Sequence, residues 1–166
     1  MCKVNYPLMT VRLNAVLRVL ASHLKKVNPK ASITIDSTAG RDISGSRLRP
    51  DIIQVGLKGN HKSAILDVKC PFPFRENDKG SFVDRCDARN LEKYANLAQR
   101  HKGKYGSCFL GSIIVPSVGP IPKATLSALK SVGFSDREAT KTLREMSIAL
   151  VRANVKFNRR LSSSPV

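Results

Sequence analysis

The sequence predicts an α/β domain built on a mixed four-stranded sheet, with two helices at its C-terminal end. Three observations support this prediction. Apolar residues recur at helical spacing near the start of the chain. Two β-type runs then flank a short polar turn, which indicates an antiparallel hairpin. Finally, the second of these runs leads through a helical segment into another β-type run, which predicts a parallel pair joined by a right-handed crossover.

The first half of the chain is predicted to form one helix and three strands. The helix extends from about Thr10 to Val27, with Thr10 as its N-cap and an apolar stripe along one side. A short strand at Ile33 to Ile35 follows. The hairpin strands are Asp51 to Leu57 and Ala64 to Cys70, on either side of the polar residues 58–63.

The second half of the chain is predicted to be mainly helical. Gly103 suits the end of its first helix, and Ser135 with Glu138 forms a capping box at the start of its last helix. The predicted elements are a helix from Asp84 to Lys102, a buried strand from Cys108 to Val115, a helix from Pro122 to Val132 and a helix from Ser135 to about Asn158.

Length and composition indicate one domain. The 166 residues, 42% of them apolar, are enough for a single core, and we assign an N-terminal extension to residues 1–9, the domain to 10–158 and a flexible tail to 159–166. No stretch approaches the ~20 apolar residues of a membrane span, and no signal peptide is recognised. We therefore expect a nuclear or other intracellular protein that does not contact membranes.

The charge balance points to a polyanionic partner. The chain has 29 Lys and Arg against 12 Asp and Glu, a net charge of +17. Binding to nucleic acid would neutralise this excess and release counterions, so DNA or RNA is the expected partner. Most of the carboxylates lie between Asp36 and Glu92. Acidic residues concentrated in a phosphate-binding protein suggest a metal site.

The hairpin carries the residues that could form a catalytic site. Asp67 and Lys69 are two residues apart on one strand and so leave the same face, and antiparallel pairing places Asp51 opposite a residue from 67 to 70. Two neighbouring carboxylates suit Mg²⁺ or Mn²⁺, and a lysine beside them can orient an attacking water. This set is typical of a metal-dependent phosphodiesterase. The alternative is a surface hairpin whose acids only pair with Lys58, Lys62 or Lys69.

Four short segments carry a family resemblance. The segment RPDI at 49–52, followed by LDVKCPF at 66–72, resembles the PD-(D/E)XK signature and, more narrowly, the restriction-like endonuclease domain in Pol proteins of site-specific non-LTR retrotransposons. The segment VRLNAVLRVLA at 11–21 resembles the helix that opens that domain, and LEKYA at 91–95 resembles its helix with a functional Lys and Tyr. The family's αβββαβ core matches the predicted element order.

This resemblance implies a Mg²⁺-dependent (or Mn²⁺-dependent) endonuclease that nicks target duplex DNA. It implies Asp51 and Asp67 as metal ligands and Lys69 as the catalytic lysine, which we favour over Lys93. Tyr94 would contact the substrate, although an aromatic at helical spacing equally suits a core position. The reverse transcriptase domain would come from the parent polyprotein or another chain, with the element's RNA as a further partner.

The basic residues provide candidates for nucleic-acid contact. The residues proposed for this role are Arg41, Arg47 and Arg49 in the loop before the site, and Arg152, Lys156 and Arg159 on one side of the last helix. Two alternatives to an active endonuclease stay open at this level. One is a DNA- or RNA-binding remnant of such an element that no longer cuts, and the other, more remote, is a basic RNA-binding protein of ribosomal type, which would leave the paired motifs unexplained.

Overall fold

The computed structural model describes residues 5–39, 47–71, 81–117 and 119–162. This part of the chain forms an α/β structure with a four-stranded mixed sheet and four helices, as the sequence predicts. None of these helices combines the length and apolar character that a membrane span requires. In chain order the elements are α1 (Asn5–Val27), β1 (Ser32–Ile35), β2 (Ile52–Val55), β3 (Ser63–Lys69), α2 (Ser81–Tyr105), β4 (Cys108–Ile114), α3 (Lys123–Ser131) and α4 (Asp136–Ser162).

The strands follow one another across the sheet in chain order, β1-β2-β3-β4. The hairpin β2–β3 is antiparallel, with Ile52 opposite Leu66 and Val55 opposite Ser63. β1 pairs with β2 in the antiparallel sense, whereas β4 lies parallel to β3. The parallel pair requires a connection that returns across the sheet, and α2 makes it.

The two faces of the sheet are covered by different helices. On one face, Ile52, Leu66 and Val68 belong to a large core that also contains buried residues of α1, α3 and α4. On the other face, Ile65 packs in a smaller core with Tyr94 and Leu97 of α2. Because successive residues of a strand alternate between faces, Asp51, Asp67 and Lys69 lie on the same side as Ile65 and α2.

Several helix ends differ from the predicted ones. α1 begins at Asn5, so Thr10 lies inside the helix and is not its N-cap. α2 extends from Ser81 to Tyr105, past Gly103. It ends beside Gly106, whose positive φ of 89° is a conformation that favours glycine. α4 reaches Ser162 and includes residues 159–162, which the sequence assigns to a tail. Local sequence signals therefore locate the helices but not every helix end.

Candidate active site

Asp51 joins the two strands of the hairpin at the end opposite to the turn. It directly precedes β2 and follows Pro50, which has no backbone N–H to continue the ladder. Its carboxylate Oδ2 instead accepts a hydrogen bond from the backbone N–H of Val68 at 2.6 Å, while its carbonyl accepts one from the N–H of Asp36 at 2.9 Å. The hydrogen bond from Val68 occupies only Oδ2, so Oδ1 of the carboxylate is left for another partner.

Asp67 and Lys69 lie beside Asp51 on β3. Extending the hairpin register by one residue from Ile52 and Leu66 sets Asp51 opposite Asp67. The Lys69 ammonium donates to Asp67 Oδ2 at 2.5 Å. The Asp67 side chain is 13% exposed and that of Lys69 30%, so this charged pair is partly screened from water yet reachable from it. The structure therefore brings together the three residues that the hairpin pattern predicts.

Tyr94 connects α2 to this group. It is fully buried, and its hydroxyl donates to the carbonyl of Arg49 at 3.1 Å, with Asp67 Oδ1 as a second acceptor at 3.4 Å. Tyr94 is thus both a core residue and a site residue: its ring packs in the smaller core, and its hydroxyl lies against the carboxylate. It holds the segment before Asp51 and the side chain of Asp67 at one point.

Burial and nearby charges shift the pKa values of Asp51 and Tyr94. Burial raises the pKa of Asp51 from its ordinary value of 3.8 to about 6, and the negative charge of Asp67 adds to this effect, while the hydrogen bond from Val68 and the charge of Lys69 oppose it. Burial also raises the pKa of the Tyr94 hydroxyl, with smaller contributions from the charges of Asp67 and Asp51. Tyr94 therefore stays protonated and acts as a donor.

The donor set suits a small divalent cation. Mg²⁺ is usually held by one or two carboxylates, with water and substrate phosphate completing its shell. Burial is the main cause of the raised pKa of Asp51 and the charge of Asp67 adds to it, so the ionised carboxylate is disfavoured and a bound cation would stabilise it. Among the residues that the structure describes, no group of three or more His, Cys, Asp or Glu side chains is close enough to hold a metal ion. Any metal here would therefore rest on Asp51 and Asp67.

The other predicted site residues lie at different distances from this centre. Lys93 places its ammonium over the Tyr94 ring, 4.7 Å from the ring centroid, and so lies beside the site. Arg49 pairs with Asp36 at 3.1 Å and is half-exposed, and Arg47 is exposed two residues before it. Arg41 lies outside the described residues.

The basic residues of α4 are not part of this site. Arg152 and Lys156 are exposed on a helix of the α1, α3 and α4 layer, which is separated from α2 by the sheet. Arg159 lies on the same helix, in a turn whose side chains are not described. The structure therefore does not bring the predicted α4 contacts to the carboxylates.

Two segments next to the site, α2 and the chain after Lys69, are held by residues that the sequence analysis did not identify. The amide of Asn90, one turn before Tyr94, donates to the hydroxyl of Ser112 on β4 at 2.5 Å, and Ser112 is the register partner of Asp67. Beyond Lys69, the carbonyl of Pro71 accepts hydrogen bonds from the backbone and hydroxyl of Ser117 and from the buried Arg12. The one sequence signal for Asn90 was that this polar residue lies four positions before Tyr94, on the same side of the helix.

Comparisons with known proteins add no assignment to this geometry. No family model matches the chain, and no curated protein matches it.

Proposed function

We propose that this chain is a metal-dependent DNA endonuclease of the PD-(D/E)XK type, and that it hydrolyses a phosphodiester bond to nick duplex DNA. The observation that supports the proposal most directly is the convergence of Asp51, Asp67, Lys69 and Tyr94 at one end of the hairpin, on the α2 side of a β1-β2-β3-β4 sheet. The carboxylates and the lysine have different roles in this chemistry.

Asp51 and Asp67 would hold the metal. A bound Mg²⁺ supplies Lewis-acid charge to the scissile phosphate and lowers the pKa of a bound water. Asp51 is held in place by the Val68 N–H, and Asp67 by Lys69 and the Tyr94 hydroxyl, so both carboxylates have fixed positions before a metal binds.

Lys69 is the residue placed to act on the nucleophile. Its ammonium uses one of three N–H groups on Asp67, which leaves donors for the attacking water or for a phosphate oxygen. As the water oxygen bonds to phosphorus, the water loses a proton to solvent, the bond to the sugar oxygen breaks and that oxygen takes up a proton from solvent, while negative charge builds on the phosphate. A fixed ammonium stabilises that charge.

The narrower assignment, to the endonuclease domain of a non-LTR retrotransposon Pol protein, depends on the sequence motifs. The segments RPDI at 49–52 and LDVKCPF at 66–72 support this assignment. In the structure the two segments are joined by the hydrogen bond from the Val68 N–H to Asp51. In this setting the nick would prime reverse transcription by a polymerase domain of the parent polyprotein or of another chain.

Nicking of supercoiled plasmid in Mg²⁺ or Mn²⁺, with and without chelator, tests the proposal. The unmutated chain should nick only with metal, and Asp67→Asn should lower the rate at least ~100-fold while DNA binding in chelator is retained. Asp136→Asn is a matched control, because Asp136 is also paired with a lysine, Lys130 at 2.8 Å, but lies at the start of α4. A wild-type rate for Asp67→Asn would refute the assignment. A folded chain that binds DNA without metal-dependent nicking would favour the non-catalytic remnant instead.

Two lysine variants distinguish the catalytic lysine. Lys69 contacts Asp67 directly, whereas Lys93 contacts the ring of Tyr94. We therefore expect Lys69→Met to lose at least ~100-fold in nicking rate while its Mg²⁺ affinity is preserved, and Lys93→Met to lose less than ~10-fold. Nicking rate and Mg²⁺ titration check this. The reverse order of losses would move the catalytic lysine to α2.

A further inference from the structure

Four cations lie along one flank of α2. Arg89, Lys93, Arg100 and Lys104 are all exposed and follow one another at intervals of four, seven and four residues. At 100° per residue these intervals place them within a sector of about 60° around the helix axis. We call this row the α2 ridge. Its length, from the first to the last residue, is about 22 Å at 1.5 Å per residue.

The α2 ridge begins beside the candidate active site. Lys93 lies over the ring of Tyr94, whose hydroxyl contacts Asp67. From there the helix leads away from the carboxylates, because it ends where β4 begins, and the first residue of β4 is opposite Ser63, at the start of β3. Arg100 and Lys104 therefore lie toward the hairpin turn, at the far end of the strand that carries Asp67.

The hairpin turn is fastened to this end of α2 and adds further cations. The hydroxyl of Ser107 accepts a hydrogen bond from the backbone N–H of Lys62 at 2.9 Å and donates to the carbonyl of Asn60 at 3.1 Å. Lys58 and Lys62 are both exposed in the turn. The basic surface that starts at the site is thus continued by a second, rigidly attached element.

The exposed Glu92 adjoins Arg89 at the start of the ridge, and beyond Lys93 no acid interrupts this surface. The sequence has no Asp or Glu between Glu92 and Asp136, nor between Asp51 and Asp67. Within the described part of the chain, no ion pair involves Arg89, Lys93, Arg100 or Lys104. Burial lowers the pKa of His101, and the positive charges of Arg100 and Lys104 lower it further.

We infer that the α2 ridge binds the sugar-phosphate backbone of the DNA substrate on one side of the scissile phosphate. This rests on the proposed function, since it takes the nick to occur at Asp51 and Asp67. The ridge would follow about six base pairs, at 3.4 Å each. Arginine and lysine on a helix flank position a duplex through its phosphates and carry no base sequence information.

α4 is a poorer path for a phosphate backbone. Its exposed face mixes Arg152 and Lys156 with three exposed apolar side chains: Ile148 at 40%, Val151 at 52% and Val155 at 46%. It also lies in the helical layer across the sheet from the carboxylates. A duplex seated on α4 would therefore lie far from Asp67.

Matched charge deletions test this inference. Arg100→Gln with Lys104→Gln removes two ridge cations four residues apart, and Arg137→Gln with Lys141→Gln removes an identically spaced, exposed Arg–Lys pair from α4. Binding is measured in chelator, so that nothing is cleaved, to a duplex and to its single strand, over a range of salt. We expect the ridge pair to lower duplex affinity at least ~10-fold at physiological salt and to reduce the salt slope by about two, and the control pair to have less than half of each effect.

Three results of the comparison between variants would overturn the inference. These are an unchanged affinity for the ridge pair, an equal loss for the control pair, and a larger loss for Arg152→Gln with Lys156→Gln, which would place the duplex on α4. A greater loss for the single strand than for the duplex would also overturn the duplex assignment. Circular dichroism verifies folding. NMR titration should show the pKa of His101 rising toward its ordinary value in the ridge pair alone.

The outcome is separable from that of the proposed function. If the ridge pair behaves like the control pair while Asp67→Asn binds DNA and fails to nick, only the ridge inference fails. If Asp67→Asn nicks at the wild-type rate while the ridge pair loses binding, the ridge still binds DNA and the catalytic assignment fails.

Discussion

At the scale of single residues, Asp51 combines a structural hydrogen bond with a charge that the fold disfavours. One carboxylate oxygen satisfies the Val68 N–H, which no backbone carbonyl pairs with at the end of the hairpin. The same carboxylate is partly buried beside Asp67, and its raised pKa of about 6 means that the ionised form is disfavoured in the folded protein. An asparagine would satisfy the N–H without the charge. A charge that opposes folding at neutral pH is consistent with the proposed role of Asp51 as a metal ligand.

Asp51→Asn should make the metal-free protein more stable at neutral pH. The folded pKa lies above the unfolded value, so the contribution of Asp51 to stability is full below about 3.8 and is lost as pH rises through about 6. We expect the free energy of unfolding of the variant at pH 7 to exceed that of the unmutated chain by about 1–2 kcal/mol. This is less than the full pKa shift would give, because water screens a partly exposed side chain. The difference should vanish toward pH 4.

Urea unfolding in chelator across this pH range measures the difference, and Mg²⁺ provides the control. Added Mg²⁺ should stabilise the unmutated chain by binding its folded state and should stabilise the variant less. A variant that is no more stable than the unmutated chain at pH 7 would contradict this account of Asp51.

At the scale of secondary-structure elements, α4 is joined to the rest of the fold by specific polar contacts. At its start, the Ser135 hydroxyl accepts from the N–H of Glu138 at 3.3 Å, and the Glu138 carboxylate accepts from the N–H of Ser135 at 2.9 Å. This is the capping box that the sequence predicts. Further along, Glu145 contacts His23 of α1 at 2.7 Å. These contacts orient α4 on the large core.

Ser135→Ala should lower the free energy of unfolding by about 1 kcal/mol, since loss of the N-cap oxygen leaves a helix N–H unsatisfied. Thermal or urea unfolding measures the change. Ser127→Ala is the control, because Ser127 is exposed inside α3, where alanine is the better helix former. DNA affinity should be the same in both variants. An equal loss of stability at Ser127 would mean that the capping box has no special effect.

At the scale of the whole molecule, charge and layering act together. The net charge of +17 favours any polyanion, but the sheet divides the surface. The layer of α2 carries the carboxylates and the α2 ridge, whereas the layer of α1, α3 and α4 carries the large core. A duplex that reaches Asp67 must approach from the α2 side, whatever the charge elsewhere.

Binding to DNA should therefore depend strongly on salt. If the four ridge cations each neutralise one phosphate, log K should fall with log salt at a slope of about −4. Only 5% of the residues are aromatic, so few side chains are available to stack on bases, and little sequence preference is expected. Fluorescence anisotropy over a salt series measures the slope, with sucrose as the osmotic control. An affinity that barely changes between low and physiological salt would contradict electrostatic binding.

The sequence by itself determined the α/β class, the hairpin and the meeting of Asp51 with Asp67 and Lys69. These follow from local periodicity: strands alternate faces every residue, and antiparallel pairing around a short turn sets which residues face each other. The charge excess and the capping box at Ser135 are likewise readable from the chain. In each case the physical cause acts over a few neighbouring residues.

Only the tertiary structure decided what surrounds these residues. The contact of Tyr94 with Asp67, the anchoring of Asn90 on Ser112 and the separation of Arg152 and Lys156 from the site all depend on which side of the sheet each helix covers. The spacing of apolar residues shows that one side of a helix is apolar, but it does not show which face of the sheet that side will pack against. The ends of α1 and α2 likewise extend past their local stop signals, because helix stability comes mostly from packing against the rest of the fold.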